Sequence, residues 1–164
     1  MTNKSSFTPE EWKTLLEGVM MSGLAVSAAE PGGIFGALKE SFAASHAMVE
    51  ARNGPNELIR SLVAEFETSE GRTFAKEGLR EKLGGVKAED IKSRSIDTLK
   101  EVATLLDAKA PDDAPPVKQW LYHISEKVAD ADAEGGFLGF GGVRVTDKEK
   151  ATLSEISGAL KIAA

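Results

Sequence analysis

The chain has 164 residues, 41% hydrophobic and 28% charged, with a formal net charge of −6 and no cysteine. That size fits one domain around one core. The missing cysteine excludes disulfides, thiolate metal sites, iron–sulfur clusters and thiol nucleophiles, and the acidic balance argues against general binding to nucleic acid or anionic membranes.

The opening residues, MTNKSSFTPEEW, contain no apolar core of the kind a signal peptide needs. Residues 1–6 are expected to form a disordered tail. The longest apolar stretch, Val19 to Ala29, is broken by Ser22, Gly23 and Ser27. It falls short of the roughly 18 residues a membrane span requires. A cytoplasmic protein with no membrane span is therefore expected.

Thr8-Pro9-Glu10-Glu11 is a capping box with proline at the first helical position, and Phe7 and Trp12 stand at the positions of a hydrophobic staple. The helix it starts carries Trp12, Leu15, Leu16, Val19, Met20, Leu24 and Val26, a broad apolar face. Gly18, Ser22 and Ser27 are small enough to let a second helix approach. Such a helix belongs at the centre of a bundle or at a subunit contact. Glu30-Pro31-Gly32-Gly33 breaks the chain. A second helix follows with Ile34, Phe35, Leu38, Phe42, Met48 and Val49 inward, ending near Asn53-Gly54-Pro55.

A short third helix places Leu58, Ile59, Leu62, Val63 and Phe66 at helical spacing. Thr68 to Gly71 reads as a turn or kink. A fourth piece runs through Phe74, Leu79 and Leu83 to Gly84-Gly85. Its Arg72, Lys76 and Arg80 share one face, but Glu77 and Glu81 lie beside them, so a solvated face is the expectation and nucleic acid is not. Lys87 to Lys109 forms a long helix with Ile91, Ile96, Leu99, Val102, Leu105 and Leu106 inward. Pro111 to Pro116 ends it and opens a sixth, with Val117, Trp120, Leu121, Ile124 and Val128 inward. Thr146-Asp147-Lys148-Glu149 is a second capping box, and Leu153, Ile156 and Leu160 line the closing helix.

The fold expected is all-α. It is a single-domain bundle of six or seven helices over residues 1–164, with a Gly/Phe-rich connector before the last helix.

Few residues can carry chemistry. Of the two histidines, His123 stands one turn from Glu126, a spacing that a metal site can use. Asp130, Asp132 and Glu134, followed by Gly135, begin like a calcium loop. The position of the bidentate glutamate holds Gly141 instead. His123, Glu126, Asp130 and Asp132 are therefore the candidate metal ligands. Gly139-Phe140-Gly141-Gly142 lacks the lysine of a phosphate loop and the third glycine of a dinucleotide fingerprint. Arg144 and Thr146, beside the first amides of the closing helix, remain as a candidate anion or ligand site. No nucleophile elbow is present, no catalytic residue is nominated and no cofactor is expected.

Phe137, Leu138 and Phe140 are bulky apolar groups on a glycine-rich backbone. Either they plug the bundle or they are exposed for a partner, a second copy or a bilayer surface.

Phe7-Thr8-Pro9-Glu10-Glu11-Trp12 and the stretch Glu134 to Gly142 resemble a group of uncharacterised, all-helical bacterial proteins. That resemblance implies an all-α fold and no activity. Val145 to Glu149, with Leu153, Ile156 and Leu160, is similar to the closing helix of tellurite-resistance TerB-like domains. The acidic metal motif of the earlier TerB helices has no counterpart here. This similarity implies a helical bundle that binds a small ligand, an anion or a metal. The residues themselves favour a non-enzymatic protein working through protein–protein contacts, as a homo-oligomer.

Overall fold

The computed structural model describes residues 2–29, 46–134 and 145–163, with the backbone alone for 132–134. The described residues form seven α-helical segments and two single 3₁₀ turns, with no strand among them. In chain order they are a 3₁₀ turn Lys4–Ser6, α1 (Pro9–Ser27), α2 (46–51), α3 (Glu57–Glu67), α4 (Ser69–Leu83), a 3₁₀ turn Ala88–Asp90, α5 (Ile91–Lys109), α6 (Ala114–Glu134) and α7 (Asp147–Leu160). The fold is the all-α bundle expected.

Both capping boxes form. Thr8 Oγ1 accepts from the Glu11 amide at 3.2 Å, and Glu11 accepts from the Thr8 amide at 2.9 Å. The Phe7 and Trp12 rings pack with centroids 5.9 Å apart. These contacts fix where α1 begins and the angle at which the chain enters it. Residues 4–6, expected within a tail, are held to the bundle. Asn3 caps their turn through the Ser5 amide at 3.0 Å, and Lys4 Nζ stands 2.6 Å from a Glu65 oxygen.

The helix α1 packs against α4, α5, α6 and α7. Its broad apolar face is what allows this: Leu15, Leu16, Val19, Met21, Ala25 and Val26 are all buried. The small residues expected to admit a neighbour do so. A Cβ on Gly18 would stand 2.7 Å from Val102 Cγ2 of α5. The Ser125 hydroxyl of α6 donates to the Ser22 carbonyl at 2.7 Å.

Lys109, at the end of α5, pairs with Glu11 at the start of α1, so α5 runs antiparallel to α1. A short turn then sends α6 back in the direction of α1. Where α1 and α6 end together, Val128 Cγ2 lies 3.4 Å from the position of a Cβ on Gly23. The exits toward residues 30–45 and 135–144 are therefore at the same end of the bundle.

Helices α2 and α4 depart most from expectation, while Ile91, Leu105 and Leu153, read as inward, are half-buried. In α2 the buried residue is Ala47, and Val49 is 66% exposed rather than inward. Two residues on a helix are about 200° apart, so burying Ala47 turns Val49 to solvent. In α4, Phe74, Leu79 and Leu83 are only half-buried, and the covered residues are Gly71, Ala75 and Gly78. This stripe of small residues at helical spacing brings α4 close to its neighbours. Ile34, Phe35, Leu38 and Phe42 lie outside the described residues.

Candidate functional site

The nominated residues that the structure describes lie along the end of α6 and the start of α7. His123 is a half-exposed side chain between two carboxylates. Its Nε2 is 3.5 Å from Glu50 Oε2 of α2, and its Nδ1 is 3.6 Å from Glu126 Oε2 one turn along α6. Lys127 Nζ stands 3.9 Å from the other Glu50 oxygen. A shallow cleft of about 370 Å³ joins His123, Glu126, Lys127 and Asp130 to Val145, Lys150 and Leu153 of the α7 region. Sequence reasoning paired His123 with Glu126. Glu50 was missed, because a contact across 73 positions leaves no local signal.

The chemistry available there is limited. The imidazole and its two carboxylate neighbours form a small polar cluster beside the cleft. Lys127 competes for the Glu50 carboxylate, and Lys150 lines the same cleft. Among the described residues no group of three or more histidine, aspartate or glutamate side chains is placed to hold a metal ion. The helix α6 continues through Glu134, so the stretch that reads like a calcium loop begins as helix. The Asp132 side chain lies outside the described residues.

At the start of α7 the capping box is made. Thr146 Oγ1 accepts from the Glu149 amide at 3.2 Å, and the Thr146 amide donates to Glu149 Oε2 at 2.6 Å. Glu149 is buried. A carboxylate thus occupies the positive end of the helix, the place an external anion would take. Arg144, the partner nominated for Thr146, lies outside the described residues, as do Phe137, Leu138 and Phe140.

A second and larger concavity was not foreseen. It is a cleft of about 810 Å³ between the Lys4–Ser6 turn, the first turns of α1 and the α3–α4 junction. Phe7, Trp12 and Phe74 give it aromatic walls, with Glu65, Glu70 and Glu77 among its other lining residues. Lys4 Nζ sits 6.0 Å from the Trp12 ring centroid, and Lys13 Nζ 5.9 Å from that of Phe74. Trp12 Nε1 is buried and has no hydrogen-bond partner. The sequence revealed Phe7 and Trp12 as a staple. Their meeting with Phe74 depends on how α3 and α4 fold back.

Thr68 makes that fold-back sharp. Its hydroxyl accepts from the Gly71 amide at 2.9 Å and donates to the Glu65 carbonyl at 3.0 Å, so one residue ends α3 and starts α4. Arg72, read as part of a basic stripe, donates to the Phe66 and Glu67 carbonyls at 3.0 Å each. It completes the end of α3.

Behind the cleft, Glu17 is buried between α1 and α4. Burial pushes its carboxyl above the ordinary 4.5, against the pull of Lys82 and Lys13. Its Oε2 has no hydrogen-bond partner, and Lys82 Nζ is 4.0 Å away. Glu17 lies outside both clefts, packed against Gly78 of α4 beside the Lys13 stem.

No family model, curated protein or solved structure matches this chain. No helix among the described residues is long and apolar enough to cross a membrane.

Proposed function

We propose that this chain is a non-enzymatic, cytoplasmic helical protein that works through protein–protein contacts, with self-association as the form they take. Phe137, Leu138 and Phe140 are the contact residues in this reading. The observation that carries it is the shared end of α1 and α6. Both glycine- and phenylalanine-bearing segments, 30–45 and 135–144, join the bundle there.

The described bundle covers its own apolar residues well. Val49 is the one large hydrophobic residue left exposed among them, and it lies on the α2 segment that follows the first of these segments. Apolar contact surface therefore has its best source in the two segments themselves. The acidic net charge leaves a protein partner favoured over nucleic acid or an anionic membrane.

The alternative, a TerB-like bundle binding a small ligand, an anion or a metal through His123, Glu126, Asp130, Asp132, Arg144 and Thr146, has one supporting observation. His123 stands between Glu50 and Glu126. The two lysines beside it and the buried Glu149 at the start of α7 weigh against it.

Sedimentation velocity of the full chain over a range of micromolar concentrations tests the proposal. A mass of two or more chains is expected. Phe137→Ser with Phe140→Ser should shift it to the monomer with the circular dichroism spectrum intact. A strict monomer that yields no cross-linked partner would remove the reading.

A further inference from the structure

We propose that the cleft at the start of α1 docks a lysine-bearing peptide segment of a partner protein, and that Lys4 is its resident occupant. The proposal goes beyond self-association, because the cleft lies at the opposite end of α1 from the end of α6.

Lys4 shows what the cleft accepts. Its ammonium pairs with Glu65 at 2.6 Å and stands over the Trp12 ring at 6.0 Å, while the side chain remains 60% exposed. An ammonium between a carboxylate and an aromatic face is held by charge and by the ring quadrupole together. Glu65 keeps only 19% of its side chain exposed in this pair. The Lys13 ammonium over Phe74 repeats the arrangement on the next ring.

The charges around the cleft are unbalanced. Glu65, Glu70 and Glu77 line it, and Lys4 is the single cation among the lining residues. Glu70 and Glu77 are exposed, and Glu77 lies in the field of Lys13. An incoming lysine would meet these two exposed carboxylates before it displaced Lys4.

A peptide fits better than a bare amine. The half-buried Phe74 ring offers apolar area to a peptide side chain, which spermidine lacks, with the covered Phe7 and Trp12 rings behind it. The volume, about 810 Å³, suits a few residues of chain.

Isothermal titration calorimetry of the full chain with a blocked octapeptide of alternating lysine and leucine tests this. One saturable site per chain is expected. Removing the occupant in Lys4→Ala should tighten binding about threefold, as a competitor lost from the site. Glu65→Gln and Phe74→Ala should each weaken it about three- to tenfold, the worth of an ion pair or a ring contact. Glu155→Gln removes one carboxylate of the distant α5–α7 surface and should change nothing. Circular dichroism confirms that each variant is folded, and Glu65→Gln carries the test alone if Phe74→Ala is not. No saturable binding to either the natural chain or Lys4→Ala would overturn the proposal. So would an equal loss in Glu155→Gln, which marks attraction to net charge. Spermidine binding as tightly, with the same dependence on Glu65, would overturn the peptide as occupant.

Discussion

The helix α1 meets α5 and α4 through two seams made of different materials. Toward α5 it presents Gly18 to the stiff, β-branched Val102, with Leu99 and Leu106 of α5 fully buried alongside. Toward α4 it presents Glu17, which lies under Gly78 with the Lys13 stem. Both seams use a glycine to bring helices close, and what meets the glycine differs. The first seam removes apolar surface from water, worth roughly 25 cal/mol per Å². The second holds a buried carboxylate and ion pairs, each pair netting about 0–1 kcal/mol after desolvation. The lesson is that close approach is not by itself strength. The helix α5 belongs to the core, and α4 is a wall leaned against it through small residues and charge.

The largest effect should come from filling the two glycines. Gly18→Ala places a methyl 2.7 Å from Val102 Cγ2, and Val102 is packed on every side. A net loss of about 1–2 kcal/mol is expected, overpacking reduced by the better helix propensity of alanine. Gly78→Ala meets the Glu17 carboxylate at 2.6 Å, Glu17 Cγ at 2.9 Å and the Lys13 stem at 3.1 Å, unbranched chains that give more readily than the β-branched Val102. Its loss should lie below about 1 kcal/mol. Urea denaturation compares the two. Equal losses would erase the distinction between the seams.

A smaller effect sharpens it. Burial pushes Glu17 above 4.5, so the folded chain holds that proton more tightly than the unfolded chain. The stability this contributes is complete below the ordinary carboxylate value and is lost as pH rises through the raised one. Glu11 and Asp107 run the other way. The Thr8 amide and Lys109 hold Glu11 low, and Lys118 and Lys161 hold Asp107 low. Their contribution is present at neutral pH and is lost on acidification through their lowered values. Glu17→Gln should therefore gain on the natural chain in urea midpoint by more at pH 7 than at pH 5. A gap that does not change with pH would mean that Glu17 is solvated.

The fold was legible wherever the cause is local. Thr8 and Thr146 announce helix starts because their partners lie three residues away. The stripe from Val117 to Val128 is buried as its spacing implies. The α4 seam was hidden for the same reason. Nothing local marks Glu17 for burial, and Gly78, 61 positions away, packs over it. The nominated sites divide likewise. The His123–Glu126 pair sits one turn apart on one helix, whereas Glu50 and the Phe7, Trp12 and Phe74 cleft are assembled by tertiary contact. The inward reading of Val49 followed hydrophobicity. Ala47 took the buried place because Trp120 Nε1 donates to its carbonyl at 3.4 Å, which brings the α2 backbone close to α6.

Native-state hydrogen exchange tests the contrast between the seams most directly. The amides of α5 around Leu99 and Val102 should exchange only through global unfolding, with the full denaturant dependence. Those of α4 from Phe74 to Arg80 should exchange through a smaller opening, at lower free energy and with a shallower slope. If α4 is protected as strongly as α5, the polar seam is part of the core and the account of α4 as a leaning wall is wrong.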